Sequence, residues 1–176
     1  KDKVAAVVDT SYTDEQGIKE IFQKAPEILK GVRYVEERNV VQRFLGELGR
    51  GSGLAVYGME EVKKSLEAGL VETLLLTEEL NLIIVSIRCS NCGHFEQLNI
   101  KKTEILSFDA NISRKTCPKC NSLTLQAVDK NDLIDFFAEL AEKANVKVEM
   151  ISSSHEEGEM LLKSFGGVAA ILKYKG

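Results

Sequence analysis

The chain has 176 residues, of which 44% are hydrophobic and 28% are charged, and its formal net charge at pH 7 is −4. This composition is typical of a globular protein with one good core and room for a small appended module. The negative charge argues against general binding to polyanions, and no apolar run reaches the roughly 20 residues that cross a bilayer. Four cysteines that we take as reduced, with no evident targeting segment, favour the cytoplasm.

The first 50 residues predict one strand and two helices. An apolar run at residues 4–8 predicts the strand. The sequence TDEQ at residues 13–16 has the form of a capping box, and apolar residues follow it at helical spacing as far as Gly31. Pro26 lies inside this pattern, so we expect the first helix to be kinked or broken there. A second amphipathic helix is expected over residues 36–48.

Strands and helices alternate in the rest of the chain. Apolar runs predict strands at residues 54–57, 71–76, 82–87, 146–151 and 168–174, and helical spacing predicts helices at 60–68, at 132–144 and after a second capping box at 154–157. The unbroken apolar runs at 71–76 and 82–87 indicate a sheet covered on both faces. We therefore predict an α/β fold, a three-layer α/β/α sandwich, with a small module inserted between a strand and a helix.

The inserted module contains two C-x-x-C pairs separated by 24 residues, which are Cys89, Cys92, Cys117 and Cys120. Each pair has the spacing of a tight turn, so the four sulfurs can complete a tetrahedron around one zinc ion. The apolar residues between the pairs predict short strands and a core too thin to fold without metal (Phe95, Leu98, Ile100, Ile105, Leu106 and Phe108). This pattern predicts a zinc ribbon with structural zinc. Disulfides and free core thiols are the alternatives, and His94 could in principle replace one cysteine.

The charge of the module differs from that of the rest of the chain. Residues 87–128 carry six basic and three acidic side chains. A zinc ion held by four thiolates would add a charge of −2, which leaves the module weakly positive. This balance fits either a modest contact with RNA phosphates or a solvated surface.

No catalytic constellation is evident in the sequence. His155 has acidic neighbours in Glu156 and Glu157, but at a helix start these are better explained by capping and the helix dipole. The glycines at 49, 51 and 53 lie between a helix and a strand, whereas a dinucleotide-binding loop lies between a strand and a helix. We expect no enzymatic activity. The acidic helix faces near residues 132–142 and 156–159 are either solvated or a docking surface for a basic partner.

Four segments together are similar to the C-terminal domain of class 1 peptide chain release factors of the archaeal and eukaryotic type. They are residues 8–12, 35–44, 57–76 and 157–174, in the order in which the family has them. The intact cysteine set resembles the archaeal branch, and the insert lies where the family carries a mini-domain. The resemblance implies that residues 1–32 end the middle domain of a longer protein. Residues 33–86 and 129–176 would then form the C-terminal domain, interrupted by the zinc-ribbon mini-domain at 87–128.

The resemblance implies a role in translation termination. Family members recognise stop codons on the ribosome and promote peptidyl-tRNA hydrolysis with a Gly-Gly-Gln loop, which this chain lacks because Val168 follows Gly166 and Gly167. Their C-terminal domain binds a translational GTPase of the elongation factor 1-alpha type and an ABC-type ribosome recycling ATPase, and the mini-domain could contact ribosomal RNA.

The implied partner-binding residues lie near the end of the chain. The final-strand pattern of the family falls on residues 170–174, where Ala170 and Lys173 depart from it. The residues implied in partner binding are Phe165, Ile171, Leu172 and Tyr174. Ile171 and Leu172 are equally well explained as core residues of the strand, and Phe165 is better explained as a core residue than as a contact.

Three other functions stay open. A ribosome rescue factor of the Pelota type shares the domain fold but normally lacks the inserted zinc module. An RNA-binding protein could use the ribbon, although the net negative charge disfavours it. An enzyme acting on a nucleotide would need a phosphate-binding loop and acid–base residues that we do not find.

Overall fold

The computed structural model describes residues 7, 9–11, 13 and 15–175. Of the strand predicted at residues 4–8, only Val7 is among them. The described helices are α1 (Glu15–Gly49), α2 (Met59–Glu67), α3 (Ile105–Ile112), α4 (Leu133–Lys143) and α5 (Glu156–Phe165). The described strands are β1 (Ala55–Tyr57), β2 (Val71–Thr77), β3 (Leu82–Cys89), β4 (Phe95–Lys101), β5 (Leu125–Asp132), β6 (Lys147–Ile151) and β7 (Val168–Leu172).

The body of the protein is a four-stranded mixed sheet with the strand order β1-β7-β2-β6. Strand β7 runs antiparallel to β1 and β2, whereas β2 and β6 are parallel. Side chains alternate between the two faces, as the pleat of a strand requires. Leu75 and Ile171 pack against α1 and α5, whereas Leu74 and Leu76 pack against α2 and α4. The predicted three-layer α/β/α arrangement of the body is confirmed.

A second, antiparallel sheet has the strand order β4-β3-β5. We expected the strand at 82–87 to belong to the body, but it is the central strand of this second sheet. Its apolar run is covered on both faces for another reason: Ile84 packs into the core of the body, while Val85 and Ile87 pack into a core of the module. The module therefore extends over residues 82–132, beyond the predicted 87–128.

The first helix is longer than expected. We predicted a helix that ends at Gly31 and a second one over 36–48, but α1 continues through both Pro26 and Gly31. Gly31 does not take the left-handed conformation with which glycine ends a helix. A glycine inside a helix costs only about 1 kcal/mol relative to alanine, which is too little to end a helix by itself. The expected domain boundary near residue 33 thus falls inside one helix.

The segment after β4 forms a helix where we expected a short strand. One turn of 3₁₀ helix at residues 102–104 leads into α3. Ile105, Phe108 and Ile112 recur at helical spacing and pack into the core of the module, while Leu106 is 81% exposed. The apolar residues of this segment therefore follow the period of a helix and not the two-residue period of the strand that we predicted.

Candidate metal centre and docking surface

The four cysteines lie together at one end of the module. Their sulfur atoms are all within 4.8 Å of one another. The Sγ atoms of Cys89 and Cys120 are 3.7 Å apart, and those of Cys92 and Cys117 are 3.6 Å apart. Cys89 and Cys117 are buried, and the other two are half-buried. The four cysteines that the spacing brings together therefore form a cluster in the fold.

Each pair of cysteines is held by a turn with the same hydrogen bonds. In the first turn, the Cys89 N–H donates to the His94 carbonyl and the Gly93 N–H donates to the Cys89 carbonyl. In the second, the Cys117 N–H donates to the Ser122 carbonyl and the Asn121 N–H donates to the Cys117 carbonyl. Gly93 and Asn121 occupy equivalent positions and both have positive φ angles, of 70° and 55°. Glycine and asparagine are the residues that tolerate this conformation best.

Polar groups surround two of the four sulfurs. The Thr124 hydroxyl, 3.1 Å from Cys89 Sγ, combines with backbone N–H groups to lower the pKa of Cys89 to about 5. The Ser122 hydroxyl, 3.0 Å from Cys120 Sγ, lowers the pKa of Cys120 to about 7. The His94 N–H acts to lower the pKa of Cys92, but burial and the neighbouring cysteine sulfurs raise it to about 12. Four sulfurs this close can all ionise only beside a cation.

The geometry of the sulfurs fits a tetrahedral metal site. A zinc–sulfur bond of about 2.3 Å implies sulfur–sulfur distances of about 3.8 Å in a tetrahedron, close to the two distances above. A disulfide requires about 2.05 Å, and all four cysteines are free thiols in this structure. His94 is not one of the clustered ligands. Four cysteines leave no open coordination position, so a metal here would be structural rather than catalytic.

The implied partner-binding residues have different environments. Ile171 and Leu172 are buried in β7, in the cores on opposite faces of the sheet. Neither side chain is available to a partner in this structure. Phe165 is half-buried, with its ring centroid 5.3 Å from that of Phe44 and 5.1 Å from that of Tyr57. Tyr174 is 68% exposed, so it is the implied residue best placed for a surface contact.

Sequence reasoning missed a buried polar network between α1 and α5. The predicted capping box at 154–157 is wrong, because His155 caps α5: its Nδ1 accepts a hydrogen bond from the Gly158 N–H at 3.1 Å. The Nε2–H of the same ring therefore donates to the Glu37 carboxylate at 3.0 Å. Glu37 also accepts from the Ser152 N–H and from Arg33. The only hint in the sequence was that Glu37, a charged residue, lies within an amphipathic helix.

The basic side chains of the module are partly neutralised. Lys102 pairs with Asp132, and the Lys130 ammonium lies 2.5 Å from the Asp109 carboxylate. Lys115 lies over the ring of Phe108, 5.5 Å from its centroid. The two ion pairs reduce the positive charge left for a nucleic acid, whereas Lys115 keeps its charge beside a neutral ring. Among the described residues, no helix combines the length and the apolar character needed to span a membrane.

Comparison with known proteins gives consistent matches. The profile of the family described as eRF1 domain 3 matches residues 34–176. "Peptide chain release factor subunit 1" of Methanobrevibacter smithii is 44% identical over 99% of this chain, and that of Methanocaldococcus jannaschii is 42% identical over 95%. The chain spans about 41% and 40% of the length of these relatives. The solved C-terminal domain of the peptide chain release factor from Methanosarcina mazei is 36% identical, with a TM-score of 0.76 over 94% of this chain and 98% of that one.

More distant structures share the fold alone. Saccharomyces cerevisiae Dom34, described as a translation termination-like factor that interacts with Hbs1, is 23% identical, with a TM-score of 0.54 over 97% of this chain and 36% of that one. Archaeal Pelota in a ribosome-bound arrangement with ABCE1 is 22% identical, with a TM-score of 0.53 over 97% and 35%.

Proposed function

The chain belongs to the eRF1 domain 3 family, and from this premise we propose that it is the C-terminal part of a peptide chain release factor that acts in translation termination in the cytoplasm. The observation that carries the proposal is the match to the solved release factor domain, which extends over nearly all of both chains. The relatives are more than twice as long as this chain. Stop-codon recognition and peptidyl-tRNA hydrolysis would therefore be the work of the whole factor.

Within that factor, this chain would be the docking domain for a translational GTPase of the elongation factor 1-alpha type and for an ABC-type recycling ATPase. Two proteins of the same fold, Dom34 and Pelota, are described together with the partners Hbs1 and ABCE1. The exposed Tyr174 and the half-buried Phe165 are the side chains that we assign to such a contact. Ile171 and Leu172 would support it from the core.

The module would carry one structural zinc ion bound by Cys89, Cys92, Cys117 and Cys120. The sulfur–sulfur distances and the four free thiols support this assignment. When bound, zinc would neutralise the thiolates and join the two turns. The chain's own residues hold the sulfurs in place: Gly93 and Asn121 close the turns, and Leu125, the cross-strand partner of Cys89, is buried in the same cluster as Cys89 and Cys117. The module would thereby form the metal-stabilised zinc ribbon that the spacing predicts.

We assign no catalytic role to this chain. A reconstituted termination reaction tests the proposal, with full-length release factor, its GTPase partner and ribosomes stopped at a stop codon. The chain alone should release no peptide, and an excess of it should inhibit release that depends on the GTPase, because it occupies the GTPase. Peptide release by the chain alone, or no inhibition by folded and metal-loaded chain, would contradict the proposal.

A parallel reaction distinguishes a release factor domain from a domain of a Pelota-type rescue factor. Ribosomes stalled without a stop codon would be treated with a rescue factor and its own GTPase. If the chain inhibits this reaction and leaves termination untouched, it belongs to a rescue factor instead.

A further inference from the structure

Ser122 and Thr124 lie on the same side of the chain as it leaves the second cysteine turn. Both hydroxyls contact the cysteine sulfurs, while Leu123, which lies between them at a bend, is 61% exposed. The two hydroxyl oxygens are 2.7 Å apart. Thr124 Oγ1 lies 3.1 Å from Cys89 Sγ, and Ser122 Oγ lies 3.0 Å from Cys120 Sγ.

A count of protons limits how these contacts can be satisfied. Two hydroxyls carry two protons, and the 2.7 Å contact between the oxygens requires one of them. When all four cysteines are thiolates, they are acceptors only, so a single hydroxyl proton is left for the sulfurs. In one arrangement Ser122 donates to Thr124, which donates to Cys89. In the other, Thr124 donates to Ser122, which donates to Cys120 at 3.0 Å, the nearer of the two sulfurs it contacts, since Cys89 Sγ is 3.6 Å away.

We propose that the Ser122 and Thr124 hydroxyls form a redundant pair that always supplies one hydrogen bond to the metal-binding thiolates and thereby slows the release of the ion. This inference rests on the proposed metal site. Loss of one hydroxyl frees the proton of the other, which then donates directly to its own sulfur. Loss of both removes the hydrogen bond altogether. Thr124 and Ser122 are positioning residues and do not bind the metal.

The other half of the site has no such support. Within the described chain, the sulfurs of Cys92 and Cys117 are 3.6 Å apart and receive no hydrogen bond from a side-chain hydroxyl. Cys120 also accepts from the Asn91 amide at 3.5 Å, an ordinary distance for an N–H donor and a sulfur acceptor, and this bond stays when the hydroxyls are removed. The hydroxyl pair is the side-chain donor that reaches both Cys89 and Cys120. Groups that hydrogen-bond metal ligands typically affect metal affinity by about 10–100-fold.

The test is a double-mutant cycle on the rate of zinc release to a chromogenic chelator. Thr124→Val and Ser122→Ala should each speed release by no more than about 3-fold, because one hydrogen bond to sulfur remains. The double variant should speed it by about 10–100-fold. The combination of Thr124→Ser with Ser122→Ala keeps one hydroxyl and should release zinc as slowly as a single variant. Leu123→Ala is the control for local disturbance of the segment.

Two further readouts separate failure of this inference from failure of the metal site. Cobalt substitution reports the thiolate ligands directly: the sulfur-to-cobalt absorption should shift in the double variant and stay in place in Leu123→Ala. Metal content and circular dichroism of each variant show that it is folded and loaded. Two outcomes would overturn the proposed hydroxyl pair but leave the metal site standing. In one, the fold-changes in zinc release of the two single variants multiply to give that of the double variant; in the other, the double variant releases zinc at the wild-type rate. A wild-type chain that binds neither zinc nor cobalt would overturn the metal site, and the inference with it.

Discussion

Glu37 should be the most sensitive polar position in the body of the protein. Its side chain is 5% exposed and lies between α1 and the start of α5. One carboxylate oxygen accepts hydrogen bonds from the Ser152 N–H at 2.9 Å and from His155 Nε2 at 3.0 Å, and the other accepts from Arg33 Nε at 2.6 Å. These bonds tie α1 to the connection between β6 and α5 through one carboxylate.

Replacement of Glu37 by alanine leaves the Ser152 and His155 donors unpaired. A buried donor without a partner costs about 1–3 kcal/mol, and this substitution leaves two of them. The Arg33 contact adds little, because that side chain is 53% exposed. We therefore expect Glu37→Ala to lower the free energy of unfolding by about 3 kcal/mol, and Glu37→Gln, whose carbonyl can still accept, by about 1 kcal/mol.

Urea unfolding followed by circular dichroism at 222 nm measures both values, with Glu36→Ala as the exposed control on the same helix. The pH dependence gives a second readout. Burial opposes ionisation of Glu37, but the hydrogen bonds from His155, Ser152 and Arg33 outweigh it and lower its pKa. Its contribution to stability is therefore complete above the unfolded value of about 4.3 and is lost as the pH falls through the lower folded value. The difference between wild type and Glu37→Gln should shrink over that window. Equal effects of Glu37→Ala and Glu36→Ala would refute the reasoning.

Three further predictions concern other parts of the fold. Cys92→Ser, or removal of metal by a chelator, should open the module to proteolysis while the helical signal of the body persists; protease resistance of the module without metal would contradict this. Gly167→Ala should lower the free energy of unfolding by clearly more than Gly166→Ala. Both glycines have positive φ angles, but only a methyl group added at residue 167 would meet Thr77 Oγ1, at 2.4 Å. Urea titration compares the two variants, and equal losses would count against the packing argument. Phe44→Ala should cost about 3–5 kcal/mol in the same titration, because this fully buried ring fills the core between α1 and β7; a loss under 1 kcal/mol would contradict that placement.

The sequence predicted the body well because its elements have strong local signals. Asp132 caps α4 through a hydrogen bond from the Ile134 N–H, and Gly166 ends α5 in the left-handed conformation. Both are residues whose side-chain chemistry or backbone freedom specifies a boundary without tertiary contacts. The cysteine cluster was equally predictable, since two adjacent turns with fixed spacing bring four sulfurs together.

What the sequence did not reveal depends on tertiary contacts. The partner of an apolar strand is not encoded in its own residues, so β3 was placed in the wrong sheet. Gly31 and Pro26 weaken a helix locally, yet α1 runs through both of them, so these residues alone did not locate the end of the helix. The pairing of Glu37 with His155 joins positions 118 residues apart. Serine and threonine are common in loops, so the sequence did not indicate that the hydroxyls of Ser122 and Thr124 contact the cysteine sulfurs.

The most direct test of the proposed function is calorimetric titration of the folded, metal-loaded chain with an archaeal GTPase of the elongation factor 1-alpha type. We predict saturable one-to-one binding that Tyr174→Ala weakens and that Leu106→Ala, at a still more exposed position in the module, leaves unchanged. No binding by chain whose fold and metal content have been verified would contradict the assignment of this protein as a docking domain.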